Sequence, residues 1–126
     1  MRIISFSDFH AHSNPIYNRE KIIKLDDFVS LQNCLFVHDH LNDKLPTCFD
    51  DYFKQVKEIH YFGTRNSSSG CLFVNQSNTR KYGLNLITNK SIKSWNFFTK
   101  KLKCNLKDIS RFSLKQKISQ FFLDCS

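Results

Sequence analysis

Apolar residues recur along most of this chain with a helical rather than an alternating period. Between residues 27 and 41, Phe28, Leu31, Leu35 and Leu41 follow the helical repeat, with Cys34 and His38 between them. Asp26 or Asp27 stands where an N-cap belongs. That spacing predicts a helix over 27–41. Farther along, Leu114, Ile118, Phe121 and Phe122 fall at i, i+4, i+7 and i+8, leaving Lys115 and Lys117 off the apolar stripe. A last helix is expected there, capped by Ser113. Ile92, Trp95, Phe98 and Leu102 make a third stripe, with lysines opposite, and predict a helix over 91–101.

Shorter units lie between these. Asn14-Pro15 is a break, because proline biases its predecessor away from helix yet suits a helix's first turn, so a short helix is expected over 15–22. Leu45-Pro46 ends the long helix, and Thr47 is placed to cap a short one carrying Cys48, Phe49, Tyr52 and Phe53. From His60 to Asn78 the period dissolves around Gly63 and the run Ser67-Ser68-Ser69-Gly70. Leu72-Phe73-Val74 reads as one short strand, and Leu84, Leu86 and Ile87 as a second. The expected fold is mainly α with a minor β element (α+β), a small helical domain of about four to five helices with one or two short strands in residues 72–88. Residues 1–126 make one domain on this reading: a near-neutral helical part over 1–58, a loop over 59–80, and a basic helical part over 81–126.

Composition narrows the class. The 3 glycines and 2 prolines are too few for a sandwich or barrel of many short strands and tight turns. With 40% hydrophobic residues and 13 Phe, the chain is too apolar for a disordered tail. No apolar run is long enough to span a membrane, and the opening residues MRIISFSDFHAH lack the pattern of a signal peptide. The five cysteines are odd in number and scattered singly, which disfavours a secreted disulfide scaffold. The expectation is a soluble protein of the nucleus or cytoplasm, with its cysteines acting as small hydrophobes.

Charge changes the picture more. Residues 1–63 hold seven Lys or Arg against nine Asp or Glu, whereas residues 64–126 hold twelve against two. A half with net charge +10 beside one of −2 can neutralise phosphates through counterion release, or meet an acidic protein surface.

Candidate catalytic groups fare poorly. Asp50-Asp51 superficially resembles the metal-binding pair of a polymerase palm, but it follows Leu-Pro-Thr in an expected helix, with no third carboxylate on an earlier strand. The pair reads better as a solvated face or cap. His10-x-His12 and His38-x-His40 have strand-like rather than helix-like ligand spacing and lack partner cysteines at fingerlike intervals, so partly exposed histidines are expected. The second pair should diverge on its helix. Any Cys/His dyad drawn from five of each is arbitrary, and three glycines furnish no phosphate loop. Neither enzyme activity, nor a cofactor, nor a bound metal is expected.

Cations interleaved with aromatics carry the functional signal: Arg80, Lys81 and Tyr82, then Lys90, Lys93, Trp95, Lys100, Lys101 and Lys103. Such a set grips a phosphate backbone and can stack a base, although Trp95 reads better as core. The expected phosphate contacts are Arg80, Lys81, Lys93, Lys100, Lys101 and Lys103, with no base-specific readout.

Several segments, in order, resemble the C-terminal portion of reverse transcriptases from non-LTR (LINE-type, jockey-like) retrotransposons, downstream of the polymerase palm and thumb. Met1-Arg2-Ile3-Ile4-Ser5-Phe6 with His12-Ser13-Asn14-Pro15-Ile16 comes first, then Ile22-Ile23-Lys24-Leu25-Asp26-Asp27-Phe28. Leu45-Pro46 with Phe49 and Tyr52-Phe53 is similar to the family's "LP-x-x-F-x-x-YF". His60-Tyr61 with Thr64-Arg65, Tyr82-Gly83 with Ile92 and Trp95-Asn96, and Leu114 to Leu123 continue the order. The similarity covers nearly the whole chain, while the family's palm, endonuclease and terminal zinc knuckle have no counterpart in it. The resemblance implies a non-catalytic accessory segment that holds RNA or DNA, without sequence preference, beside the remainder of a reverse transcriptase. The alternative is an adaptor whose basic helical half docks an acidic protein.

Overall fold

In the computed structural model, residues 5, 6, 8, 10–59, 62–65, 69–79, 82, 83 and 85–125 are described. The longest element among them, α2 (Leu25–Leu41), starts two residues before the predicted span and ends on it. Its buried side, Leu31, Cys34, Leu35, Val37 and His38, is the predicted stripe shifted inward. Phe28, expected on that stripe, is 45% exposed. Asp26 and Asp27 do not cap the helix. They sit in its first turn, where their charge favours the helix dipole, and Lys24 takes the N-cap position without a side-chain bond.

α1 (Ser13–Arg19) begins earlier than predicted and carries Pro15 in its first turn, where a missing N–H costs nothing. After α2 the chain makes a single 3-10 turn (Thr47–Phe49) and then α3 (Val56–Ile59). The short helix expected at Thr47 is thus one turn, led by Pro46, with no side-chain cap from Thr47. Its aromatic side is borne out in part: Phe53 is buried, Phe49 half-buried, and both meet Phe36 of α2 edge-on.

α4 (Ile87–Leu102) starts four residues before the predicted 91–101. This corrects the second strand: Leu86 is the N-cap of α4 and Ile87 its first residue. The residue that decides it is Asn89, buried in the first turn, whose Nδ2 donates to Gly83 O at 2.6 Å and anchors the turn to the preceding loop. Gly83 itself is sterically required, since a Cβ there would stand 2.2 Å from Ser77 Cβ.

The first strand reduces to an isolated antiparallel bridge between Gln55 and Leu72, so the minor β element does not form among the described residues. On one side the backbone of residues 71–73 meets residues 54–56, through Val56 N to Cys71 O and Phe73 N to Lys54 O. On the other it finds no second strand. Instead, the Asn96 amide imitates one: its Oδ1 accepts from Leu72 N at 2.8 Å while its Nδ2 donates to Leu72 O at 2.9 Å. Trp95 adds a bond from its indole N–H to Gly70 O. Adjacent residues on α4 therefore fasten the loop that joins the two halves of the chain. Asn96→Ala leaves two backbone groups at buried Leu72 without partners and is expected to lower stability by about 1–3 kcal/mol, read as a lower urea midpoint at unchanged slope.

α5 (Arg111–Cys125) carries Leu114 and Ile118 into the core as predicted. Its cap is corrected: Ser110, three residues upstream of Ser113, accepts from Ser113 N at 3.2 Å. Phe121 and Phe122 are only half-buried and form a ladder of edge-on rings with Phe98. α2 packs against both α4 and α5. One cluster joins Leu31, Leu35 and Val37 to Ile92, Trp95, Phe98, Leu106, Leu114 and Ile118.

The histidines of α2 diverge as expected but are less exposed. His38, 2% exposed, donates from Nε2 to Ile109 O at 2.8 Å, closing the α4–α5 loop onto α2. Next to it Asp39 accepts from Arg111 Nε at 3.0 Å, which ties the start of α5 to the end of α2. His40 turns the other way, its Nε2 lying 3.0 Å from Phe49 O.

Candidate nucleic-acid interface

The polar face of α4 follows from the same period that builds its apolar one. Lys93 and Lys100 are seven residues apart, so they stand on one line of the helix, about 10 Å apart along its axis. Lys90 and Lys101 lie to one side of that line, within roughly a quarter turn of it. All four are exposed, opposite Ile92, Trp95 and Thr99. A basic ridge therefore runs along the outside of α4.

At the C-terminal end of the ridge the surface folds into a cleft of about 500 Å³. Lys100 and Lys103 line it from α4 and its end, Lys57 from α3, and Lys107 from the loop that leads to α5. Trp95 and Leu106, both buried, form apolar wall; Gln55 and Asn105 add polar groups. Among the described residues no Asp or Glu lines the cleft. The neighbouring acids are engaged close by, Glu58 with Gln55 N and Asp108 with the Asn105 amide.

Of the cations expected from sequence, Lys100 and Lys103 meet in the cleft, and Lys93 stands on the ridge. Lys101 is turned over the Phe97 ring, 5.8 Å from its centroid. Arg80 and Lys81 lie outside the described residues, as do Leu84 and the motif residues Met1 to Ile4, His60 and Tyr61. Lys57 and Lys107 were missed by sequence reasoning. Each sits alone among unlike neighbours, and only the approach of α3 and the 103–110 loop to the end of α4 brings them together. Of the two aromatics weighed for stacking, Trp95 is 2% exposed, with no free ring face to offer, whereas Tyr82 is exposed.

Lys103 has a strained backbone. It ends α4 in the left-handed region, φ 47°, ψ 34°, where glycine is normally preferred. Lys103→Gly is expected to raise folding stability by up to about 1 kcal/mol while weakening polyanion binding. Opposite signs in a melting curve and a binding curve would show that the lysine is held there at a cost to the fold.

The thiols are all free: Cys34 and Cys71 buried, Cys104 half-buried, Cys48 and Cys125 exposed. Two exposed cysteines depart from the expectation of small buried hydrophobes. Burial pushes the Cys34 thiol up to about 12. With its folded pKa above the unfolded one, the contribution of this thiol to stability is fully present below about 9 and is lost as pH rises from there toward about 12. Thiol labelling at neutral pH should accordingly modify Cys48 and Cys125 quickly and spare Cys34 until the protein unfolds.

Asp50 and Asp51 are exposed in the turn after the 3-10 helix, Asp50 as its C-terminal cap. Among the described residues no group of three or more His, Cys, Asp or Glu is arranged to hold a metal ion, and no helix is long and apolar enough to cross a membrane. No protein-family model matches the chain, and neither does any curated protein or solved structure.

Proposed function

We propose that this chain is a non-catalytic, basic nucleic-acid-binding segment of the kind found at the C-terminal end of LINE-type reverse transcriptases, acting in the nucleus or cytoplasm. The reading is supported above all by the convergence of Lys57, Lys100, Lys103 and Lys107 on one cleft that no acid lines among the described residues, at the end of the α4 ridge. A polyanion laid along the ridge passes Lys90 and Lys93 and then reaches the cleft. Lysine ammonium groups contact phosphates as point charges and carry no base information, so binding on this reading is independent of sequence. With Trp95 inside the core, Tyr82 is the one of the two weighed aromatics left exposed for stacking, and affinity on this reading rests chiefly on phosphates.

Polymerisation is not part of the reading. Asp50 and Asp51 lie in an exposed turn, away from the cleft lining. The test is direct. Labelled RNAs and single-stranded DNAs of unrelated sequence and equal length should bind with similar affinity at low salt, and primer extension with magnesium or manganese should be absent with or without Asp50→Ala and Asp51→Ala. Binding of polyglutamate but of no nucleic acid would replace this reading with that of an adaptor for acidic proteins.

A further inference from the structure

The cleft and the ridge differ in how they confine charge. Along the ridge, Lys93 and Lys100 are spaced over two helical turns and open to solvent, an arrangement that suits the single charges of successive phosphodiesters. In the cleft four lysines from three segments of chain line about 500 Å³, with Gln55 and Asn105 as further polar residues. That volume is the size of a small-ligand pocket. The four cations repel one another when it is empty, and a phosphodiester placed there brings one negative charge. A terminal phosphate brings about 1.5–2 negative charges at neutral pH, with three acceptor oxygens, and a polyphosphate brings more.

We infer that the cleft is a site for a multiply charged phosphate group, a phosphomonoester or polyphosphate, with the 5′-phosphorylated end of a nucleic acid as the source whose strand continues along the α4 ridge. The strand rests on the nucleic-acid reading; the recognition of the anion does not. Lys57 and Lys107 are the discriminating pair, because they line the cleft from α3 and from the 103–110 loop and so lie off the ridge. Substituting them should remove the preference for a terminal phosphate and leave the general attraction of the ridge in place.

The chain contains a single tryptophan, and it forms part of the cleft wall, so its fluorescence reports occupancy without a label. Three probes separate the sources: inorganic tripolyphosphate, and one short oligouridine carrying either a 5′-phosphate or a 5′-hydroxyl. The parent protein is expected to give a saturable Trp95 signal with tripolyphosphate, and to bind the 5′-phosphorylated oligomer about tenfold more tightly than the hydroxyl form. K57Q/K107Q, two exposed positions, should lose both effects yet bind the two oligomers equally and still measurably. Saturation by tripolyphosphate with no binding of either oligomer would defeat the nucleic-acid reading and assign the cleft to a free polyphosphate. Equal binding of the two oligomers by the parent, together with no saturable signal from tripolyphosphate, would overturn the inference. A parent-like signal in K57Q/K107Q would overturn it as well.

Discussion

Trp95→Ala is expected to cost about 3–5 kcal/mol, the usual penalty for truncating a buried large aromatic. That is a large share of the roughly 5–15 kcal/mol available to a typical domain. Three effects add here. The ring is 2% exposed and belongs to the cluster that joins α2, α4 and α5. Its indole N–H donates to Gly70 O, so truncation also removes a tie to the loop, and it opens the wall of the cleft. Because the variant retains no tryptophan, circular dichroism is the proper readout, with a melting temperature lower by roughly 10–20 °C. An unchanged midpoint would mean that the α4 stripe has been assigned to the wrong face.

Charge reversal should have the largest effect on binding. Replacing Lys100, Lys101 and Lys103 by Glu is expected to weaken binding to unrelated RNAs alike, and to flatten the log-log salt dependence by about one unit per lost contact. At about 50 mM salt each lost phosphate contact amounts to roughly a factor of ten, so a hundredfold loss or more is expected. The three lysines should not contribute equally. Lys100 and Lys103 line the cleft, whereas Lys101 is held over Phe97, so Lys101→Glu alone should be the mildest single change. Glutamate at the end of a helix also opposes the helix dipole. The matching Lys→Gln triple variant, which avoids that penalty, should keep the fold and show the same order of effects. RNA binding as tight as the parent's in both triple variants would make this face an ordinary solvated surface.

The helical architecture was legible because its signal is local. Leu31, Cys34 and Leu35 on α2, Ile92, Trp95 and Phe98 on α4, and Leu114 and Ile118 on α5 repeat within a few turns, and each reached the core. Element ends were less legible, because caps and tertiary bonds decide them. Leu86 and Ile87 look like strand by residue type, yet the bond from Asn89 to Gly83 O draws them into the start of a helix. Ser110 caps α5 from three residues before the expected Ser113. The strand at Leu72 was half right: one side of its backbone does pair, with residues 54–56, but the other is met by the Asn96 side chain, which no alternation of apolar residues could announce. For the interface, the α4 lysines were readable from charge and spacing. Lys57 and Lys107 were not, since their part in the cleft depends on how α3 and the 103–110 loop approach α4.

The most direct test is the slope of log affinity against log salt for the unmodified protein on a single-stranded RNA. Lys57, Lys93, Lys100, Lys103 and Lys107 acting together as phosphate contacts predict a slope of about −3 to −4, unchanged between unrelated sequences. A slope near zero, or a slope that differs from one RNA sequence to another, would contradict the account.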